Sequence, residues 1–417
     1  MNLWNETKSI RISRRMVWEA YKKVRANKGS SGVDAVSMEQ FDAKRSSHLY
    51  KLWNRMTSGS YFPPALKEVE IPKKDGSVRK LGLPTISDRV GQMVIKMYIE
   101  PRLEKIFSSN SYGYRPHKSA HQALTSVREN CWKIDWVIDL DIKGFFDNID
   151  HSKLMLAVEK HVPEKWVHFY IQRWLEMPVL TKSGELIEKQ GKGTPQGGVI
   201  SPLLSNLFLH YALDKWLEKT DGTVKFTRYA DDVIVHCKSK VHAEQTLNAI
   251  RKRMNSVGLE LHPEKTKIVY CRDYRRKGKH PIVKFDFLGY SFQPRTTKSK
   301  KRKGLFLGFD CAISISSRKR IADKLEELKV ERLSFKSIVG VAQYLNPMIR
   351  GWVNYYGRFR GYELTRVFRL LQNRLVCWAR KRYKRYKTNL RKAFKWLKRV
   401  REQYPYLFHH WRYSFIN

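Results

Sequence analysis

The chain has 417 residues, with 82 Lys or Arg against 39 Asp or Glu, a formal net charge of +43. Hydrophobic residues make up 42% and aromatics 12%, which excludes a disordered chain and allows two or three domains with a large core. No apolar run reaches the ~18 residues that span a bilayer, and the excess charge points to a polyanionic partner, nucleic acid well ahead of a membrane surface.

The N-terminal MNLWNETKSIRISRRM lacks the apolar stretch of a signal peptide. Five scattered cysteines (Cys131, Cys237, Cys271, Cys311, Cys377) form no CxxC pair. They predict reduced, mostly buried thiols in a cytosolic protein rather than a disulfide framework or a zinc ribbon.

Residues 1–60 read as helical, interrupted by the glycine-rich NKGSSGVD at 27–34. Two extended runs at 66–84 flank Asp75-Gly76, a hairpin signal, with Lys73 and Arg79 on either side of the turn. Helical spacing over 86–107 contains a proline, which predicts a kink or a split. The segment 136–149 begins as a buried strand. Apolar residues at 203, 204, 207, 208, 211, 213 and 217 predict a helix over 201–219 with one buried face.

KFTRYADDVIVHC (225–237) reads as strand, turn, strand. An amphipathic helix and an extended segment follow over 243–261. RTTKSKKRKG (295–304) is basic and turn-rich, and is expected to mark a boundary zone. From about 317 onward the chain reads as all-helical, and between Thr365 and Arg401 it holds no Asp or Glu. Aromatics interleaved there (Trp378, Tyr383, Tyr386, Phe394, Trp396) favour a packed core over stacking platforms, with the basic residues on a phosphate-facing side.

Two adjacent acids, Asp231 and Asp232, stand out in so basic a chain. A tight turn between strands presents both carboxylates at one sheet edge, where a divalent cation relieves their repulsion. A partner acid is available in VIDLDIKGFF, where Asp139 and Asp141 end a hydrophobic strand. Acids from two neighbouring strands would form a two-metal site for nucleotidyl transfer.

RYADD (228–232) together with GTPQGGVISPLLSNLFLHYALD (193–214) resembles the reverse transcriptases encoded by bacterial group II introns. Further stretches carry the same resemblance in order: NKGSSGVDAVSMEQF, IPKKDGSVRKLGLPTISDRVGQ, SYGYRPHKSAHQAL, DLDIKGFFDNIDH, LHPEKTKIVY, FDFLGYSF and IRGWVNYYG. The resemblance implies an α+β right-hand polymerase, its fingers and palm built on a small antiparallel sheet, followed by an all-helical basic thumb. It divides the chain into an N-terminal extension (1–60), fingers and palm (61–312) and a thumb or maturase domain (313–417).

Residue by residue, it implies that Asp141, Asp231 and Asp232 are the catalytic metal ligands, with Asp139 as a neighbour. The metals would be two Mg²⁺ ions, with Mn²⁺ as a substitute. It places Lys73 and Arg79 on the triphosphate, Phe145 at the sugar gate with Phe145 or Phe146 also serving the core, and Gln196 and Gly197 against the nucleotide and template. Arg115, Lys265 and Ile142 are further candidates. Arg115 suits template contact or structural support equally, and Lys265 suits proton donation to pyrophosphate or a solvated surface.

The implied reaction is RNA-templated DNA synthesis from a DNA or RNA primer and dNTPs, and the implied RNA is group II intron RNA whose splicing the protein assists. No membrane partner is expected, the expected location is the bacterial cytoplasm beside the nucleoid, and no residue fixes an oligomeric state. The HHWRYSFIN end lacks the Cys pairs of an HNH nuclease, so an endonuclease-free type is expected. Two alternatives stay open: a domesticated relative serving DNA repair or phage defence, and a maturase with little polymerase role.

Overall fold

The computed structural model describes residues 10–27, 29–72, 78–298 and 304–413. The chain packs as two compact units, residues 1–119 with 138–267, and residues 120–137 with 268–417.

The first unit opens with helices Arg14–Ala26, Met38–Ala43 and Arg45–Thr57. Ser13 caps the first by accepting from the Met16 N–H, and Ser37 with Gln40 forms a capping box on the second. The glycine-rich break between them is docked rather than loose. Arg89 donates to the Ser30 carbonyl at 2.5 Å, and a Cβ on Gly32 would lie 2.7 Å from the Thr85 backbone.

The expected hairpin is present as β1 (Leu66–Pro72) and β2 (Val78–Leu83), paired antiparallel from Lys67 with Leu83 to Pro72 with Val78. Its Asp75-Gly76 turn lies outside the described residues, as does Lys73. Two further short strands extend this sheet beyond β1.

The helix after the hairpin corrects the expected kink. It runs unbroken from Ile86 to Leu103, capped by Thr85, and Pro101 falls in its last turn. Little helix remains beyond the proline to be deflected. A second correction concerns 201–219. Helix Ser201–Leu209 is buried all round rather than on one face, and it widens into a π turn over His210–Asp214 before resuming at Lys215–Thr220.

Strand β3 (Trp136–Leu140) enters the first unit at Ile138. With β4 (Val179–Leu180) and β5 (Leu186–Ile187) completing the hairpin sheet in the order β2-β1-β4-β5, the last pair is β6 (Lys225–Tyr229) and β7 (Asp232–Cys237). These two pair antiparallel with Tyr229 opposite Asp232, and β3 lies beside β7. Side chains of Val233, Ile234 and Val235 are buried, so the sheet is anchored by the apolar run that follows the acids.

In the second unit, strand Tyr290–Lys298 pairs with Phe285–Phe287 on one side and Leu305–Ile313 on the other. The basic stretch 295–304 is therefore no boundary. Its described residues 295–298 end the strand that pairs with Leu305–Ile313, with Thr296 opposite Leu307 and Lys298 opposite Leu305, and 299–303 lie outside the described residues. Helix Ala120–Lys133 packs on this hairpin through Arg128 to Asp310 at 2.6 Å and Trp132 to the Phe309 carbonyl at 2.9 Å.

The remaining helices, Ile315–Glu327, Ile338–Tyr356, Thr365–Arg382 and Leu390–Gln403, share one apolar core. Trp378 and Tyr386 are buried in it and Tyr383 and Trp396 pack against it, while Phe394 stays exposed. The cysteines are free, four of them buried. Among the described residues no helix is long and apolar enough to cross a membrane.

Candidate active site

A two-residue loop, Ala230-Asp231, joins β6 to β7, so Asp231 sits at the tip and Asp232 opens the second strand. Ala230 adopts φ +58°, the left-handed geometry that tight hairpins favour at their first loop residue. Nothing larger than hydrogen fits at Gly113, because a Cβ there would collide with the Ala230 nitrogen.

Asp141 leaves the end of β3. Its carbonyl accepts from the His262 N–H at 2.8 Å, and the flanking Lys143 N–H donates to the Glu260 carbonyl at 2.8 Å, so the segment is pinned on both sides of the acid. Lys265 brings its ammonium to 3.8 Å from the Asp141 carboxylate.

The three acids feel one another. Burial pushes the Asp232 carboxyl up to about 7, with the charges of Asp231 and Asp141 adding to the effect. Asp232 reaches the water of the cleft, yet protein surrounds it on most sides. Asp231 is also raised, by burial first and then by Asp141, against the opposing pull of Arg79 and Arg228. Such a set of hard oxygen donors short of positive charge fits a divalent cation. Among the described residues no three His, Cys, Asp or Glu side chains are grouped closely enough to hold a metal ion as they stand.

Beside the acids lies a cavity of about 540 Å³, within the range that holds a nucleotide-sized ligand. Arg79, Lys80, Phe145, Phe146, Gln196 and Asp231 are among its lining residues. Phe145 is only 2% exposed, Phe146 is half-buried, and their rings meet edge to face. Two motifs build this wall jointly. The Thr194 N–H donates to the Phe146 carbonyl at 2.7 Å, and the Gly193 N–H to the Ile149 carbonyl at 2.8 Å. Gly197, at φ +127°, allows the loop to press on β2, where a Cβ would stand 2.9 Å from the Gly82 carbonyl oxygen. Ile142 also lines the cavity.

Gln196 is held at both ends of its amide. Its Oε1 accepts from Arg79 Nε at 2.7 Å, and its Nε2 donates to both Asp147 oxygens at 3.2 Å. Asp147 escaped the sequence reading, as did Lys80 and Lys189, which join Arg79 in lining the cavity with positive charge. The lysines carry no motif of their own, and Asp147 looks like one more polar residue after the two phenylalanines. Arg115 is committed to its own loop. It pairs with Glu104 and donates to the Ser108 and Ser111 carbonyls at 2.6 and 2.8 Å, which is structural support.

The fold is that of the right-hand polymerase class, followed by an all-helical module. Residues 71–311 match the family described as reverse transcriptase (RNA-dependent DNA polymerase). Residues 318–396 match the group II intron maturase-specific domain. The first match covers more than half of the chain, which therefore belongs to the reverse transcriptase family and is an RNA-directed DNA polymerase by that membership. The family works with divalent metal ions on an RNA template.

The chain is 31% identical over 294 residues to Protein YkfC of Escherichia coli (strain K12), covering 61% of this chain and 77% of YkfC. It is 27% identical over 349 residues to the group II intron-encoded protein LtrA of Lactococcus lactis subsp. cremoris, covering 68% of this chain and 56% of LtrA. It thus spans about half of LtrA's length. A solved telomerase from Candida albicans, in complex with a fragment of telomeric RNA, superposes with a TM-score of 0.48 at 13% identity, over 88% of this chain and 68% of that one.

Proposed function

We propose that the chain copies group II intron RNA into DNA at Asp141, Asp231 and Asp232, and that its helical module binds the same RNA and assists splicing. The observation that carries this reading is the meeting of a two-acid turn with a third acid-bearing strand beside a cavity that Arg79, Lys80 and Lys189 help to line. In this reading residues 1–60 are an N-terminal extension, 61–312 the fingers and palm, and 313–417 the thumb or maturase domain.

Asp141, Asp231 and Asp232 would hold two Mg²⁺ ions, for which Mn²⁺ would substitute, and bound there the ions would supply positive charge to the primer 3′ hydroxyl and the leaving pyrophosphate. Arg79, together with Lys73, takes the triphosphate in a reaction that depends chiefly on placement and charge. Gln196 and Gly197 bound the nucleotide from below, and the Phe145–Phe146 pair closes the space beside its sugar. Lys265 stands where it balances Asp141 and can pass a proton toward pyrophosphate.

Paired assays on an Asp231→Ala variant test the reading. Primer extension on intron RNA is expected to vanish while splicing of that RNA persists. Extension at the wild-type rate would refute the site. Loss of both would show that the fold, rather than the carboxylate, had been damaged, and a melting curve of the variant reveals that directly.

A further inference from the structure

Directly beneath the acid-bearing turn lies a buried ion pair that neither the metal site nor the nucleotide cavity uses. Arg228 and Asp214 are both 0% exposed. The guanidinium binds the carboxylate with both prongs, Nε to Oδ1 at 2.8 Å and Nη2 to Oδ2 at 2.6 Å. Its remaining arm, Nη1, donates to Asn206 Oδ1 at 2.8 Å and to the Ala230 carbonyl at 3.0 Å. Asn206 in turn donates to the Gly113 carbonyl at 2.8 Å, the same glycine that abuts Ala230 from the other side.

A helix would not ordinarily supply both partners. Eight residues of ideal α-helix turn positions 206 and 214 roughly 80° apart. The π turn over His210–Asp214 widens the helix at this point and rotates Asp214 back toward Asn206. Arg253 donates to the Tyr211 and Ala212 carbonyls at 3.0 Å each, groups that the wider turn leaves in need of donors.

Burying two charges is costly, and an apolar pair of similar volume commonly matches or exceeds such a pair in stability. Stability alone therefore does not account for it. The Ala230 carbonyl belongs to the peptide that leads into Asp231, so gripping it fixes the plane from which Asp231 projects. We propose that Arg228, held by Asp214 and Asn206, is a positioning residue that sets the Asp231–Asp232 turn for metal binding. This rests on the reading of those two acids as metal ligands.

The test is primer extension with the full chain, titrating Mg²⁺ and dNTP separately. Removing the charge network while keeping the volume, by Arg228→Met with Asp214→Leu, leaves no buried charge unpaired and preserves folding. The expected result is a kcat lower by roughly 10²-fold, as for a misplaced reacting group. The Mg²⁺ concentration for half-activation should rise about tenfold, as when the support of a ligand is removed, with the dNTP KM unchanged. Arg228→Lys, which keeps the charge but not the fork, is expected to show the same pattern more mildly. A double variant that melts like wild type and retains its kcat and Mg²⁺ dependence would overturn the proposal. Asp231→Ala in the same assay keeps the two readings apart, since wild-type turnover there would overturn the metal site itself.

Discussion

The turn at 229–232 and the helical stretch 365–401 are opposite departures from charge balance. At the turn, acids gather where burial and the charges of Asp231 and Asp141 raise Asp232 to about 7, while Arg79 and Arg228 pull against the rise at Asp231 and Lys265 faces Asp141. Along 365–401 there is no acid at all, and Arg391, Lys395, Lys398 and Arg399 stand exposed on a helix that buries only Ala393 and Leu397. Each imbalance costs stability in the free protein, and a partner of opposite charge would relieve it. Compact divalent cations suit the first, and an extended row of phosphates suits the second. What the contrast teaches is that charge left unpaired by the fold identifies the chemistry of the missing partner.

The sharpest way to break the comparison is at the acids. Asp141→Ala is expected to lower primer extension by at least about 10³-fold while leaving RNA binding, measured by filter retention, unchanged. Reduced RNA affinity would mean that the two regions are not separable.

A buried acid elsewhere sharpens the contrast. Asp88 accepts from Tyr61 at 2.6 Å and from Thr85 at 2.6 Å, and burial raises its carboxyl to about 6. The native fold therefore binds this proton more tightly than the unfolded chain does. Its contribution is full below the unfolded value near 4 and is lost as pH rises through about 6, a swing of about 3 kcal/mol. Asp88→Asn is expected to flatten that part of the melting-temperature profile without altering the Mg²⁺ requirement, since this acid serves the fold alone.

At the cavity, Gln196→Ala is expected to raise the dNTP KM about tenfold, the scale of one hydrogen bond to a charged group. Asp147→Ala, which frees the Gln196 amide to rotate, should raise it less. Steady-state kinetics at saturating primer and template reads both. The smallest effect is expected on the basic helix. Replacing Arg391, Lys395 and Lys398 by Gln should weaken RNA binding and flatten its salt dependence by about 0.7 to 0.9 in slope for each phosphate no longer neutralised, with kcat at saturating template unchanged.

Much of this was legible along the chain, because the signals were local. Alternation around Asp75-Gly76 marked the hairpin, and the two acids between apolar runs marked the tight turn between β6 and β7. Where the reading failed, the cause was a tertiary override. The turn-rich RTTKSKKRKG read as a boundary zone, yet its residues 295–298 are paired across a hairpin with Leu305–Gly308. Pro101 suggested a kink in a helix whose end, a few residues on, the spacing did not reveal. The Arg228–Asp214–Asn206 network lay in plain view within two recognised motifs. Its meaning depended on a π turn, and no periodicity announces an inserted residue. Asp147 was unreadable for a similar reason, since only the fold brings Gln196 to it.

The acid-free stretch 365–401 carries a practical consequence at the bench. Concentrated salt screens its self-repulsion and so steadies the unliganded protein, yet the same salt strips away bound RNA. Purification and storage thus favour brine, whereas reconstitution with transcript favours dilute buffer. A melting temperature that climbs with sodium chloride while RNA retention falls would be the signature of that opposition.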